Sequence, residues 1–270
     1  MAISHFNTEK KQDPQFHFMM DLGDLIDGKS APLGKSQEAL TTLTRCFAAS
    51  DMPHYHCIGN HELYNFTKKQ WSSIWETGMP HRYYSFPVPT CEEWVMVVLD
   101  PYGISILGSE EGSDERKMAA SILDKHNPNA DQNSSNDMEG PQKRFVQYGG
   151  GLDPEQLTWL KKTLSELKQH GKKALLFTHL PLHPDGSPPN CLLWNYEEVL
   201  TILRDSVVKV VFSGHAHCNQ HVERDGIHFV VCQAILECSP GSSAYASVNV
   251  HSDSIHIAGH GHMTSYDWTV

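Results

Sequence analysis

FMMDLGDLIDG, residues 18–28, is an apolar run that breaks at Gly23 into a turn carrying Asp24 and Asp27. Three other stretches share this plan: HCIGNHE (56–62), ALLFTHLP (174–181) and VVFSGHAHCNQ (210–220). In each, a strand-like run ends in a short turn that bears carboxylate, amide or imidazole groups. Taken singly they are ordinary. A Gly-Asp or Gly-Asn pair after a strand is a common turn, and His179 before Leu180-Pro181 reads equally well as a core histidine. Gly214-His215-Ala216-His217 is more specific, because two imidazoles one residue apart aim at neighbouring points. Side by side in one sheet, four such strand ends converge where α/β proteins build their sites.

Around these stretches, β-rich runs alternate with helical patterns. Strands are expected at 16–22, 54–58, 82–86, 94–99, 174–178, 207–213, 227–233, 246–250 and 255–258. A helix is expected over 36–49 with Ser36 as its N-cap. A clearer one opens at Asp153-Pro154, with Leu157, Leu160, Leu164 and Leu167 at helical spacing and Gly171 as its stop. Asn195 and Glu198 resemble a capping box for a helix running to about Arg204. After Val207 the pattern is strands and turns with no convincing helix. The polar loop 127–150 is long enough to be either functional or disordered. The expected fold is α/β in layers, two packed mixed sheets flanked by helices, in one domain over residues 1–270.

Composition narrows the function classes. With 21 Lys+Arg against 32 Asp+Glu the net charge is −11, which disfavours nucleic-acid binding. The longest apolar run, 94–99, is six residues, far short of the ~20 that span a bilayer. Seven cysteines without a CxxC pair exclude a zinc ribbon and a secreted disulfide framework. The segment MAISHFNTEKKQ has no apolar signal-peptide core. The expectation is a cytoplasmic monomer without membrane or nucleic-acid partners. Eighteen histidines are many for this length and fit a metal site.

GDLID (23–27), GNHE (59–62), His179 and GHAH (214–217) resemble, in order, the motifs of the calcineurin-like metallophosphoesterases. The resemblance implies an αββα sandwich and two divalent metal ions, Mn²⁺ favoured, with Zn²⁺, Fe or Mg²⁺ as alternatives. By the same resemblance Asp24 bridges the ions, Asn60, His179 and His215 bind one of them, and His217 binds the other. His61 matches the residue that contacts the phosphoryl group and assists the leaving oxygen. Two ions need a bridging carboxylate to offset their repulsion, and together they clamp a phosphoryl oxygen and acidify a water. Imidazole, amide and carboxylate donors suit such ions.

GNHELYNF (59–66), HNPN (126–129), RFVQYGGGLDPEQLTWL (144–160), THLPLHPD (178–185) and CLLWNY (191–196) are similar to a narrower group, the manganese-dependent ADP-ribose/CDP-alcohol diphosphatases. That implies cleavage of the pyrophosphate bond of ADP-ribose, CDP-choline or CDP-glycerol, giving AMP or CMP and a phosphorylated sugar or alcohol. Tyr64, Phe66, Cys191 and Trp194 are candidates for the nucleotide slot. Each of these aromatic residues has ordinary packing as its bland alternative. Residues 149–151 before Asp153 read as a turn, because the capping carboxylate competes with any anion for the backbone N–H groups. Alternative readings are a cyclic-nucleotide or phosphomonoester phosphoesterase of the same superfamily, or a non-catalytic shortened isoform.

The last alternative arises because the superfamily opens with a strand ending in DxH or DxQ, and no such motif precedes residue 16. Residues 2–12 read instead as the end of a helix leading into the GDLID strand. Asp13, His5 and His17 are misplaced to replace the motif. The expectation is one metal site with a full ligand set and a second, held by Asp24 and His217 alone, that is incomplete. Weak turnover and exposed sheet edges would accompany it.

Overall fold

The computed structural model describes residues 2–50, 52–74 and 82–270. The helices are α1 (Ala2–Gln12), α2 (Ser36–Phe47), α3 (Asn60–Asn65), α4 (Lys68–Ile74), α5 (Asp114–His126), α6 (Pro154–Gln169) and α7 (Tyr196–Leu203). The strands are β1 (Met19–Asp21), β2 (His54–His56), β3 (Tyr84–Val88), β4 (Cys91–Val98), β5 (Lys173–Thr178), β6 (Val208–Ser213), β7 (Gln220–Arg224), β8 (Ile227–Val231), β9 (Ala244–Val250), β10 (Ser254–Gly261) and β11 (Tyr266–Thr269). A six-stranded mixed sheet runs β3-β4-β5-β6-β8-β7, with β4, β5, β6 and β8 parallel and the two edge strands antiparallel. The expected second sheet is present as two short ones, parallel β1-β2 and antiparallel β11-β10-β9.

Both faces of the large sheet are buried, so its inner strands read as nearly unbroken apolar runs. Val97, Leu99, Leu176 and Val211 face a core shared with Leu160 and Leu164 of α6 and Leu40 of α2. Met96, Val98, Leu175, Phe177, Val210 and Phe212 face the opposite way, against Cys57, Ile255, Ile257 and Phe18 from the two short sheets. The register of β6 against β5 shifts between Ala174 and Leu175, which lets Val208 and Val211 face the same core. Among the described residues, no helix is long and apolar enough to cross a membrane.

The helix beginning at Asp153 forms as expected: its carboxylate accepts the Gln156 N–H at 2.8 Å, and Gly171, just past the last turn, has φ +63°. Two caps differ from expectation. Ser36 lies inside α2, whose N-cap is Lys35, and its hydroxyl donates instead to Asn65 Oδ1 at 2.7 Å. Asn195 makes no cap bond; its amide holds both the N–H and the C=O of Leu152 at 3.0 Å. Strands β7 and β11, and helices α3, α4 and α5, were not expected. QHVER and YDWT are partly exposed edge strands without an apolar run. The loop 127–150 is ordered by side-chain-to-backbone bonds. Buried Asn127 donates to the carbonyls of Gln132, Ser134 and Phe145, and buried Arg144 donates to Trp194 O and Pro141 O while pairing with Glu197.

Asp21, at the end of β1, fastens β1 to β2. Its two oxygens lie 2.6 Å from His54 Nε2 and 2.6 Å from His56 Nδ1, and Oδ1 also accepts the Gly23 N–H at 3.0 Å. Burial raises the Asp21 carboxyl, but the charge of His56 and the hydrogen bonds of both histidines outweigh it and hold the group below the usual carboxylate range. Burial lowers the His56 imidazole, and Asp21 more than restores it, so its pKa is raised. The carboxylate therefore stabilises the fold above its ordinary pKa of about 3.9, and that stability is lost as pH falls. The His56 contribution is present below about 6.5 and is lost as pH rises through the raised value. Asp21→Asn should lower the unfolding free energy by roughly 3–5 kcal/mol near pH 6, the usual cost of breaking a buried pair. Urea unfolding of both proteins across pH 2.5–9 checks this; a gap that narrows neither below about 4 nor on the alkaline side contradicts the pairing.

Candidate metal centre

Each of the four motif stretches ends a strand and delivers its polar side chain just beyond it. Asp24 follows β1, Asn60 opens α3 after β2, His179 follows β5, and His215 follows β6. β5 and β6 are parallel neighbours, as are β1 and β2, so all four arrive at carboxyl ends of strands. The turns are tight enough to force unusual backbone. Asp24, His215 and His217 have φ of +59°, +62° and +52°, a region L-residues avoid unless the surroundings hold them there.

Glycine is required where two turns meet. A Cβ on Gly59 would stand 2.2 Å from Asp24 Oδ1 and 2.5 Å from Asp24 N, and one on Gly23 would stand 2.6 Å from His179 Nδ1. At Gly214 the closest atom would be Leu22 Cβ at 3.3 Å, a much milder conflict.

Four donor atoms close around one point. His179 Nε2 lies 3.3 Å from Asp24 Oδ2, 3.1 Å from Asn60 Oδ1 and 3.2 Å from His215 Nδ1, and the last two atoms are 3.1 Å apart. Ligands 2.0–2.1 Å from a tetrahedral ion stand about 3.3–3.4 Å from one another, so this set fits a divalent cation. Neighbours fix which atoms point inward. Asn60 donates its Nδ2 to the Tyr64 hydroxyl at 3.3 Å and accepts at Oδ1 from Tyr102 Oη at 3.4 Å. His179 donates from Nδ1 to Leu22 O at 2.5 Å, which aims Nε2 at the centre.

The electrostatics suit the same task. Burial pushes the His215 imidazole down to about 3, helped by the nearby His179, so it is neutral and offers a lone pair at physiological pH. Burial raises Asp24, but His179 overcomes this and holds the carboxyl well below its ordinary value. His179 is raised, because the attraction of Asp24 exceeds the cost of burying its charge.

His217 stands outside this set of donors. It is partly exposed, with Nδ1 3.0 Å from Glu237 Oε1. His61 lies beside the centre: its backbone N–H donates to Asp24 Oδ1 at 2.9 Å, and its Nδ1 accepts the Gly28 N–H at 3.0 Å. That bond occupies Nδ1 and leaves Nε2 as the ring nitrogen open to a substrate.

The nucleotide-slot candidates separate. The Tyr64 ring is half exposed, 5.3 Å from His61. Cys191 lies partly buried, its thiol pushed up to about 11 by burial and by Cys218. Phe66 and Trp194 are packing residues. Phe66 packs against the main core and Trp71, and Trp194 is buried in a satellite core with Phe145 and Leu123. Neighbouring aromatic residues at the motif ends gave no way to tell the two kinds apart. Three further residues serve the centre: Tyr102, Glu62 and Tyr148. Tyr148 stands 5.8 Å from His215 with its hydroxyl accepting from Asn190 at 2.9 Å. Of these, Glu62 carried a signal as the last residue of GNHE and Tyr148 as part of RFVQYGGG, while Tyr102 carried none.

The sequence profile described as calcineurin-like phosphoesterase matches residues 3–219. A manganese-dependent ADP-ribose/CDP-alcohol diphosphatase of Oryza sativa subsp. japonica is 36% identical over 262 residues, covering 96% of this chain and 79% of the relative. The protein of the same description from Homo sapiens is 31% identical, with 97% and 80% covered. A crystal structure of a dimetal phosphatase from Danio rerio superposes with a TM-score of 0.92 at 30% identity, over 99% of this chain and 87% of that one.

The glycine geometry predicts a graded response. Gly59→Ala should abolish tight Mn²⁺ binding, whereas Gly214→Ala should weaken it by less than about tenfold, since only a few tenths of an ångström must be recovered there. Isothermal titration with Mn²⁺ checks this. Equal behaviour of the two variants would show that the closeness of the Gly59 and Asp24 turns is not what assembles the centre.

Proposed function

We propose, from the premise that the chain belongs to the calcineurin-like phosphoesterase family, that it is a manganese-dependent hydrolase of ADP-ribose and CDP-alcohols. The reaction is hydrolysis of the pyrophosphate bond to AMP or CMP plus a phosphorylated sugar or alcohol. The observation that carries this reading is the convergence of Asp24, Asn60, His179 and His215 from four strand ends. The relatives with the same description over more than nine-tenths of this chain support the substrate class.

Asp24, Asn60, His179 and His215 would hold one ion. Asp24 and His217 would share the second, with Glu237 beside His217. When bound, such ions polarise the phosphoryl oxygens and lower the pKa of a water to supply the nucleophile. The chain's own residues orient and donate. His61, oriented by the Gly28 N–H on Nδ1, presents Nε2 to a phosphoryl or leaving oxygen. It thus acts as a hydrogen-bond donor that strengthens as charge develops on that oxygen. The Tyr148 ring, 5.8 Å from His215, offers a face for the base, as does exposed Tyr64.

The net charge of −11 does not oppose an anionic substrate, because cations held at the centre would set the local field there. Location in the cytoplasm and action as a monomer complete the reading.

With Mn²⁺, the protein should release AMP from ADP-ribose faster than it turns over 2′,3′-cyclic AMP, 3′,5′-cyclic AMP or a phosphopeptide at equal concentration. No AMP at any Mn²⁺ concentration would sink the assignment. Asp24→Asn should abolish turnover, His215→Ala should be partly rescued by high Mn²⁺, and His61→Ala should keep its metal while losing roughly 10²–10⁴-fold in kcat. Metal analysis should give one tight equivalent and a weaker second. Two equally tight equivalents would show that Asp24 and His217 do not hold the second ion by themselves.

A further inference from the structure

Away from the metal centre, a second group of ligand-type side chains meets between α1 and the outer face of the β11-β10-β9 sheet. His5 and Glu9 are four residues apart on α1, so they project from one face of the helix. His260 comes from β10. One ligand atom from each of the three lies within 4.8 Å of the others. His5 Nε2 is 3.1 Å from Glu9 Oε1, and the His5 and His260 rings are 4.5 Å apart between centroids.

Two observations separate this group from a chance surface cluster. The first is the closure of His5 Nε2 on Glu9 Oε1: the nitrogen atom is shielded from solvent and stands 3.1 Å from the carboxylate without a hydrogen bond between them. A ring nitrogen and a carboxylate oxygen set in that way stand as two ligands of one cation do. The second is that the group already has supporting contacts. Ser247 Oγ donates to Glu9 Oε2 at 2.8 Å and lies 3.3 Å from His260 Nε2, holding carboxylate and imidazole side by side. Tyr245 stacks on His260 at 4.8 Å and stands 5.5 Å from His5, forming an aromatic wall. Such outer contacts orient ligands in established metal sites.

We propose that His5, Glu9 and His260 form a second, separate cation site, selective for a borderline divalent ion of the zinc class. Two imidazoles and one carboxylate are a donor set that zinc takes with a fourth position left to water. The site shares no residue with the centre built on Asp24. Its role would be mechanical. α1 contains no fully buried residue and is held by few contacts, among them Asn7 Nδ2 to Ala49 O at 2.9 Å, Ser50 Oγ to Asn7 Oδ1 at 2.7 Å and the Phe6–Tyr245 edge contact. An ion joining two residues of α1 to β10 would clamp this helix onto the sheet.

Hydrogen exchange of the full chain with and without Zn²⁺ tests this by location. Zn²⁺ should slow exchange across residues 2–12 by at least tenfold. His260→Gln and His5→Gln should each need at least tenfold more Zn²⁺ for half of that protection, with unchanged far-UV circular dichroism. Asp24→Asn, which disables the other centre, should leave the α1 response intact, so failure of one assignment does not imply failure of the other. If either histidine variant does not fold, Glu9→Gln provides the same readout. Exchange of residues 2–12 that ignores Zn²⁺ in the unaltered protein overturns the site. So does protection that persists undiminished in the ligand variants.

Discussion

Glu62 has no exposed surface, and its two oxygens accept three backbone N–H groups from two separate turns: Gly59 at 2.7 Å, Asp24 at 2.9 Å and Leu25 at 2.6 Å. The Gly59 bond is the ordinary back-reach of a third helical residue to its N-cap, here at the start of α3. The other two bonds bind the Gly23–Asp24 turn to the Gly59–Asn60 turn, which are 35 or more residues apart in sequence. Burial raises the Glu62 carboxyl and His56 opposes that, while Asp24 adds to the rise. Without those three donors a carboxyl in this place would be unsatisfied, a cost of several kcal/mol. With them, Asp24 and Asn60 are set at a fixed separation before any ion arrives.

Strained backbone stands at two of the turns around this point. Asp24 and His215 both sit at positive φ, and each such residue costs about 1–3 kcal/mol that the surroundings must offset. For Asp24 the offset is visible: its N–H goes to Glu62, its Oδ1 accepts from His61, and its Oδ2 meets His179. For His215 it is the preceding Gly214 N–H bonded to His179 O at 3.0 Å, which ties the β6 exit to the β5 exit. Strain and closeness therefore coincide at the metal centre, where the rigid ends of the sheet strands impose them.

These turns were legible in the sequence because each requirement leaves a residue type behind. Gly23 and Gly59 mark close approach, Asp24 and Asn60 mark the donors, and the apolar runs before His179 and His215 mark strands buried on both faces. The Asp153-Pro154 helix start was legible for the same reason, one local interaction determining one residue pair. What stayed illegible depends on partners distant in sequence. Ser36 and Asn195 have the chemistry of caps, yet their best hydrogen bonds are with Asn65 and Leu152, and nothing nearby in the chain announces this. Edge strands such as QHVER pair on one side only, so burial imposes no apolar pattern on them. Trp194 and Tyr64 look alike as aromatic residues near motifs; only packing separates the ring in a core from the one facing solvent.

The same geometry sets how protons and cations compete at the centre. In the unliganded protein, buried Asp24 needs a compensating positive charge, and the raised His179 supplies it by keeping its proton. That arrangement stabilises the fold at and below the ordinary imidazole range and weakens as pH rises through the raised value. A divalent ion among the same four atoms provides that charge instead, and it requires the Nε2 lone pair that the proton occupies. Proton and ion are therefore mutually exclusive at that nitrogen. His215 is exempt, since burial has already made it neutral. The centre is thus half prepared, with one imidazole ready and the other held in charge balance until the ion replaces its proton.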